Sequence, residues 1–236
     1  FMLKLDGLTI KLTYEGGELL EAATRGDGEV GEIVTHNTRA IGGIPAHIRY
    51  EDRLVITGEA FIRPSDFEQL KASLVDKNGR NLAAGSVRLL DAKTCMERRL
   101  MFMPFAVLEG FENLPRKSER LKELSALGFT PCKYLVTKRT LAQAEAEDGI
   151  KQLQQYARDN DIPIDGIVVT YNDVAFAKSC GRTGHHYKDG LAFKFEDDLF
   201  ETKLQMIEWT PGRTGEIAPV AVFAPVEIDG CEVSRA

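Results

Sequence analysis

Alternating apolar and polar residues predict that the first sixty residues form strands joined by short turns. Residues 8–14 alternate with the period of two that is typical of a half-buried strand. Residues 15–18 contain two glycines and supply a turn, after which residues 19–23 return as the second strand of a hairpin. Residues 54–62 form a further predicted strand. Since long helices do not alternate regularly with these strands, the connections are predicted to be mostly antiparallel.

Helical patterns begin after the strand predicted over residues 54–62. Ser65 and Glu68 have the spacing of a capping box, and Gly79 is predicted to end the helix that follows. A second helix is predicted over residues 118–127. A further capping box, Thr140 with Gln143, precedes a segment whose apolar residues share one helical face: Ile150, Leu153, Tyr156 and Ala157.

Two more apolar segments, residues 100–109 and 166–171, are predicted to be interior strands. The composition changes near residues 196–198, and the strands predicted after it belong to an all-β unit. Because about forty residues rarely close a barrel, we expect this unit to be incomplete. The chain also begins inside a predicted strand, so we expect it to be a piece of a longer protein.

Composition sets limits on the class of protein. Hydrophobic residues make up 43% of the chain and charged residues 28%, a balance typical of a globular protein. The longest apolar runs fall short of the eighteen or so residues that a membrane helix needs. The four cysteines lie far apart without a C-x-x-C pair, which indicates neither a zinc site nor a disulfide framework and favours a reduced, cytoplasmic setting.

Net charge argues against a protein that binds duplex DNA unaided. The formal charge is −6, whereas affinity for DNA depends on cations that neutralise phosphates. If DNA is the partner, we expect other parts of a longer protein to help hold it.

The motif Lys4-Leu5-Asp6-Gly7 is the first candidate for chemistry. On a strand, Lys4 and Asp6 point to the same face. A lysine that acts as a nucleophile must lose its proton, which desolvation or neighbouring cations promote. The alternative is a surface ion pair between Lys4 and Asp6, and the motif alone does not decide between these interpretations.

Further candidates follow along the chain. Arg25 lies in a glycine-rich turn that could meet an anion, and Glu59 is a carboxylate in an otherwise apolar strand. Arg80 and Arg88 flank a run of small residues, which permits the close approach of a ligand. Phe105, predicted at the end of a strand, belongs to the core or stacks on a base.

Four further positions complete the set of candidates. Asp165 opens an apolar strand, and Lys194 lies on a strand where it must face a pocket or water. His185 and His186 have no evident third ligand, so we predict a loop pair and no protein-built metal site.

The order of these segments resembles the adenylation domain of the bacterial NAD-dependent DNA ligases. K-x-D-G, G-E, I-D-G and A-F-K-F recur in this order across the covalent nucleotidyltransferase superfamily, which includes ATP-dependent ligases and capping enzymes. The stretches A-A-T-R-G-D-G, R-N-x-A-A-G-S-x-R and G-R-T-G-x-I-A-P-V-A-V are more specific to the NAD-dependent family. The resemblance covers essentially the whole chain.

This resemblance implies an α+β fold with two parts. Residues 1–196 would be the adenylation domain, with the covalent nucleotidyltransferase fold built on antiparallel sheets with flanking helices. Residues 197–236 would be the first part of an OB fold. The implied cellular roles are DNA replication and repair.

The resemblance also implies the chemistry. Lys4, with Asp6 beside it, would attack the α-phosphate of NAD, release nicotinamide mononucleotide and carry AMP as a phosphoramidate. Lys194 would stabilise charge on the α-phosphate. Asp165 would lie beside the site, near a magnesium ion. AMP would then pass to a DNA 5′-phosphate, and the adjoining 3′-hydroxyl would seal the nick.

Binding roles are implied for the remaining candidates. Arg25 and Glu59 would bind the adenosine part, and Phe105 would lie against adenine. Arg158 is the best match for a further NAD-binding arginine, although its spacing is one residue short. Arg80 and Arg88 would contact phosphates and DNA. The implied partner is nicked double-stranded DNA, bound by a monomer without membrane association.

Two departures from the family pattern keep other interpretations open. Met2 stands where the family usually has glutamate, and Thr170 where it usually has lysine. We expect this chain alone not to seal nicks and to react little with NAD. The alternatives are an ATP-dependent covalent nucleotidyltransferase and a degenerate, non-catalytic module that binds nucleotide or nucleic acid.

Overall fold

Helices and antiparallel sheets make up the computed structural model, in accordance with the predicted α+β class. It describes residues 1–26, 30–71, 78–137, 142–181, 188–195, 199–212, 215–228 and 231–236. The named strands of these residues form three sheets, and their pairings are all antiparallel.

The first sheet has four strands in the order β3-β2-β4-β5. Its strands are β2 (Leu8–Glu15), β3 (Glu18–Thr24), β4 (Leu54–Phe61) and β5 (Met101–Glu109). The predicted hairpin of β2 and β3 is confirmed. Gly16 and Gly17 form its turn with φ angles of +58° and +78°, a region that glycine enters without a Cβ penalty.

The second sheet joins the start of the chain to its second half in the order β1-β6-β7. Its strands are β1 (Met2–Leu5), β6 (Ile164–Thr170) and β7 (Gly190–Lys194). A third sheet follows in the order β10-β9-β8, with β8 (Leu204–Pro211), β9 (Ile217–Ile228) and β10 (Cys231–Arg235). The predicted domain boundary, between residues 196 and 197, lies outside the described residues.

Six α-helices and one 3-10 helix occur in the described part of the chain. They are the 3-10 helix Thr35–Ala40, α1 (Pro64–Lys71), α2 (Gly79–Val87), α3 (Ala92–Glu97), α4 (Lys117–Ala126), α5 (Gln143–Asp159) and α6 (Val174–Ser179). None of these helices has the length and apolar content needed to cross a membrane.

Two predicted helix ends are wrong. Gly79 begins α2 instead of ending a helix, because the Asn78 side chain accepts hydrogen bonds from the amides of Arg80 and Asn81 and caps α2. Helix α1 begins at Pro64, a residue favoured in the first turn, so the predicted capping box at Ser65 does not form. Thr140, predicted to cap α5, lies outside the described residues.

The core consists of two clusters. The larger packs the first sheet against α2, α3 and α4 and contains Tyr14, Phe102 and Leu124. The smaller contains residues of β1, β4, β5, β6 and α5. Leu153 and Ala157 of α5 are buried in it, and Ile150 and Tyr156 pack against it, which confirms the predicted apolar face of that helix.

Gly7 allows the turn after β1 to pack directly against β4. A Cβ added at Gly7 would lie 2.2 Å from the carbonyl oxygen of Ala60 and 3.1 Å from Cγ of Glu59. The group that approaches Gly7 is therefore the backbone of β4.

We predict that Gly7→Ala destabilises the chain by about 1–3 kcal/mol, because the new methyl group overlaps a backbone oxygen that is held in the sheet. Gly85→Ala in α2 is the matched control. Its Cβ would meet nothing within 4 Å, so we expect a gain of about 0.5–1 kcal/mol. Urea unfolding measures both, and equal effects of the two substitutions would contradict the packing argument.

Candidate active site

Lys4, Gly166 and Lys194 lie in one row across the second sheet. Lys4 of β1 pairs with Gly166 of β6, which pairs in turn with Lys194 of β7. Residues paired in this way point to the same face of a sheet. The outer two strands are about 10 Å apart, and Gly166, between the two lysines, carries no side chain. A Cβ at Gly166 would lie 2.3 Å from the carbonyl oxygen of Phe193.

A β-bulge turns Asp165 towards Lys4. Leu5 pairs with Ile164 and Lys4 with Gly166, so Asp165 is the extra residue between two consecutive pairs. Lys4 Nζ donates hydrogen bonds to Asp165 Oδ1 at 2.6 Å and to Oδ2 at 2.5 Å. The surface ion pair between Lys4 and Asp6 considered above is therefore not formed, since Asp165 is the carboxylate in contact with Lys4.

This ion pair is partly shielded from water. The side chains of Lys4 and Asp165 are only 27% and 24% exposed. The amine is nucleophilic only as the neutral form. Chemistry at Lys4 therefore requires that its proton leaves and that the contact with Asp165 weakens.

Asp6 and Arg80 form a second ion pair beside the first. Arg80 Nη1 donates to Asp6 Oδ1 at 3.2 Å. Burial raises the pKa of Asp6 above its ordinary value, the charge of Arg80 opposes this rise, and the nearby carboxylate of Asp165 adds to it. The two aspartates and the two cations thus share one electrostatic environment.

Glu59 faces this environment from the first sheet. It pairs with Thr9 of β2, whose hydroxyl donates to Glu59 Oε2 at 3.0 Å, and the residue is 9% exposed. Burial raises the pKa of Glu59 from 4.5 to about 7, while the Thr9 hydrogen bond and the charges of Arg80 and Lys4 lower it. The structure thus brings together Lys4, Asp6, Glu59, Arg80 and Asp165, five of the residues predicted from the sequence.

Two residues predicted to bind adenosine lie next to the strands that carry Thr9 and Glu59. The backbone amide of Arg25 donates to the carbonyl of Thr9 at 3.2 Å, and the Arg25 side chain is exposed. The sequence predicted Phe105 at the end of a strand, but it lies in the middle of β5. It is half-buried and packs against the smaller core cluster.

Arg88 and Arg158 lie apart from the cluster around Lys4. Arg88 Nε donates to Glu32 at 2.5 Å, and Arg158 Nη2 donates to Gln155 Oε1 at 2.9 Å in the last turn of α5. No contact among the described residues joins either arginine to Lys4 or Glu59. The predicted loop pair of His185 and His186 lies outside the described residues.

Met2 and Thr170 occupy the same face of the second sheet as Lys4. Met2 pairs with Val168, which is two residues beyond Gly166 in β6 and therefore on the same face. Thr170 is two residues further along β6 and pairs with Gly190. The face around Lys4 is therefore apolar or neutral at both positions where the resemblance led us to expect a charged residue.

The sequence interpretation missed two residues of this region. Thr9 binds Glu59, and Cys132 is buried with its thiol 3.4 Å from the carbonyl oxygen of Leu3. Burial raises the pKa of Cys132, and the charge of Glu59 adds to the rise. Neither residue belongs to a motif. The alternation of β2 identified Thr9 as a polar position but could not show that it faces Glu59.

Metal-ligating groups are sparse in this site. The described residues contain no group of three or more histidine, cysteine, aspartate or glutamate side chains that could hold a metal ion. A divalent ion bound here would need oxygen ligands from a substrate in addition to the carboxylates of Asp6 and Asp165.

Comparison with known proteins identifies both parts of the chain. Residues 1–198 match the family model of the NAD-dependent DNA ligase adenylation domain, and residues 201–236 match that of the NAD-dependent DNA ligase OB-fold domain. Proteins named DNA ligase are 44% identical in Lachnoclostridium phytofermentans, 41% in Ruminiclostridium cellulolyticum and 35% in Helicobacter hepaticus. Each alignment covers 99% of this chain and 36% of the relative.

The raised pKa of Glu59 predicts a specific pH dependence of stability. Between pH 4.5 and about 7 the unfolded chain releases this proton while the folded chain retains it, so the free energy of unfolding falls as pH rises. The full loss is about 3 kcal/mol at neutral pH. Glu59→Gln cannot ionise, and Thr9 can still donate to its amide oxygen, so the variant should lack this loss.

Urea unfolding of both proteins at pH 5 and pH 8 measures the effect, because subtracting the two curves removes the contributions of other carboxylates. We expect Glu59→Gln to gain stability relative to the unsubstituted chain as pH rises. Parallel pH profiles would show that Glu59 ionises as freely when folded as when unfolded.

Proposed function

The chain belongs to the NAD-dependent DNA ligase family, and we propose that it carries the site at which Lys4 takes AMP from NAD. The observation that carries this proposal is the position of Lys4, held by Asp165 in one row with Lys194 and opposite Glu59. Because the chain spans 36% of the length of its relatives, nick sealing by the whole protein is part of the proposal.

We propose the covalent nucleotidyltransferase fold for residues 1–196, as the adenylation domain, and an OB-fold segment for residues 197–236. Support comes from the sheet arrangement, because the first two sheets face one site while the third is a separate three-stranded unit. The ranges of the two family models, 1–198 and 201–236, agree with this division.

The reaction proposed at Lys4 is a substitution at phosphorus. The neutral Nζ attacks the α-phosphorus of NAD and forms a P–N bond. The P–O bond to the nicotinamide mononucleotide breaks, and this leaving group takes the electron pair. The proton of Nζ is lost through Asp165, the acceptor already in contact, and passes to water. Lys194 faces the same space and stabilises the negative charge on the phosphate oxygens.

The remaining candidates bind the substrates in this proposal. Glu59, Arg25 and Phe105, which lie on or beside strands of the first sheet, would hold the adenosine part, with Arg158 as a further NAD contact. Arg80 and Arg88 would bind phosphates and DNA, which requires each to exchange its carboxylate partner for a phosphate.

Magnesium fits the donor set through shared coordination. Mg²⁺ is commonly held by one or two carboxylates together with substrate phosphates. Asp6 and Asp165 interact electrostatically and face the space beside Lys4, so they would hold the ion. When bound there, it would supply positive charge to the phosphates of NAD and weaken the hold of Asp165 on the Lys4 ammonium.

The wider setting proposed is that of a cytoplasmic monomer acting on nicked double-stranded DNA in replication and repair. The formal charge of −6 supports the view that this chain is not the whole DNA-binding surface.

Intact-mass spectrometry of the protein that contains this chain tests the nucleophile. After incubation with NAD and Mg²⁺, we expect the mass of one added AMP and release of an equal amount of nicotinamide mononucleotide. Lys4→Ala and Lys4→Arg should show neither, because both lack an amine that can attack phosphorus. An adduct that persists in these variants would place the nucleophile elsewhere.

The same measurement with ATP separates the remaining alternatives. An AMP adduct formed from ATP in preference to NAD would favour an ATP-dependent nucleotidyltransferase. Binding of NAD without any adduct would favour a non-catalytic module, an outcome that the neutral Met2 and Thr170 make worth testing.

We predict that Thr170→Lys increases the rate of AMP transfer from NAD to Lys4 about tenfold or more, because it adds a cation to the face on which Lys4 and Lys194 lie. Leu191→Lys is the matched control. It adds the same charge to the same sheet at a position that is 80% exposed and points to the opposite face. Single-turnover kinetics compare the variants, and equal acceleration by both would indicate a general charge effect.

A further inference from the structure

Four polar residues tie β7 to the start of α4, and we call them the α4 clasp: Lys117, Ser118, Asn172 and Asp189. Lys117 Nζ donates to Asp189 Oδ2 at 2.5 Å. The amide of Ser118 donates to Asn172 Oδ1 at 2.9 Å, and Asn172 Nδ2 donates to Ser118 Oγ at 3.0 Å. Asn172 follows β6 and Asp189 precedes β7, so the clasp holds the same end of both strands.

Strand β7 has little buried surface of its own, although Phe195, which follows it, packs against the smaller core cluster and the amide of Tyr171 donates to the carbonyl of Asp189 at 3.0 Å. It is an edge strand, paired only with β6 among the described strands, and each of its five residues is exposed. Burial therefore contributes little to its position. Its last residue is Lys194.

Helix α4 provides a firm anchor for the other side of the clasp. Leu121 and Leu124 of α4 are buried in the larger core cluster, which also contains the first sheet. The ion pair of Lys117 with Asp189 thus connects the strand of Lys194 with the sheet of Glu59. The two charged side chains are only 32% and 19% exposed, so removing one leaves the other poorly solvated.

We propose that Lys117 and Asp189 are positioning residues, which fix β7 so that Lys194 stays in register with Gly166 and Lys4. This inference rests on the proposed function in one respect, since Lys194 is taken to stabilise charge on the α-phosphate. The position of such a group matters because a displacement of about 1 Å can lower a rate about a hundredfold.

Hydrogen exchange of this chain tests the structural half of the proposal. We expect Lys117→Met and Asp189→Asn to increase exchange of the amides of residues 190–194 about tenfold, with β2 and β4 unchanged, because only the local opening of β7 becomes easier. Lys122→Met is the matched control, since it removes a lysine from the exposed face of the same helix. Unchanged exchange in β7, or equally faster exchange throughout the chain, would overturn the proposal.

A charge exchange covers the case in which a single variant folds poorly. Lys117→Asp combined with Asp189→Lys restores opposite charges and places a carboxylate in the first turn of α4, where it is favoured. We expect this double variant to regain protection of β7. If its β7 exchanges as fast as in the single variants, the ion pair does not hold the strand.

Kinetics in the protein that contains this chain test the link to Lys194. At saturating NAD, Asp189→Asn should slow AMP transfer to Lys4 about tenfold, with less than about a twofold change in the NAD concentration that gives half the maximal rate. In a Lys194→Met background, Asp189→Asn should cause no further slowing. Effects that multiply instead would show that the clasp does not act through Lys194.

These two arms separate failure of the inference from failure of the proposed function. If the unsubstituted protein transfers no AMP from NAD to Lys4, the proposed function fails, and hydrogen exchange still decides whether the clasp holds β7. If transfer occurs and Asp189→Asn leaves its rate unchanged, the positioning role fails while the function stands.

Discussion

The contact between Lys4 and Asp165 is the interaction on which the site depends. It exists because β1 pairs with β6 and because a single extra residue in β6 turns a carboxylate to the face that carries the lysine. Without the bulge, Asp165 would point to the opposite face, towards the smaller core cluster that buries Ile167. One irregularity in strand pairing thus decides whether the lysine meets a carboxylate or only the open space beside Gly166.

The chemistry of this region follows from the way charges alternate within it. Two ion pairs lie side by side, Lys4 with Asp165 and Arg80 with Asp6. Glu59 lies near them, and its burial opposes ionisation of its carboxyl group. Lys4 and Arg80, two of the cations proposed to meet phosphates, are each held by a carboxylate. If NAD binds here as proposed, its binding is an exchange of partners for these two cations, and a divalent ion would favour this exchange by occupying the carboxylates.

Local patterns in the sequence predicted most of the elements but not how they meet. Three patterns were sufficient to predict their elements: the alternation of β2, the apolar run of β4 and the apolar face of α5. Each pattern reflects how a single element is buried. The capping box at Ser65 and the helix end at Gly79 were wrong because short-range signals of this kind can be overridden by a neighbour, here Pro64 and the Asn78 cap. Local patterns identified Lys4, Glu59, Asp165 and Lys194 as candidates, and the resemblance to a family supplied their expected roles. Neither predicted their mutual geometry, because register and bulges depend on contacts between distant parts of the chain. Thr9 and the α4 clasp were missed for the same reason.

The pairing of β1 with β6 also has a consequence for the order in which the protein is made. Lys4 and Asp165 are separated by 161 positions in the sequence. A ribosome that has added Lys4 must therefore add all the residues between them before Asp165 is present. Strand pairing over such a distance is slow, because the entropy of closing a long loop is lost before the stabilising contacts form. The Lys4 amine therefore has no carboxylate partner while β2 to α5 are synthesised, and the two residues meet only when the second sheet closes.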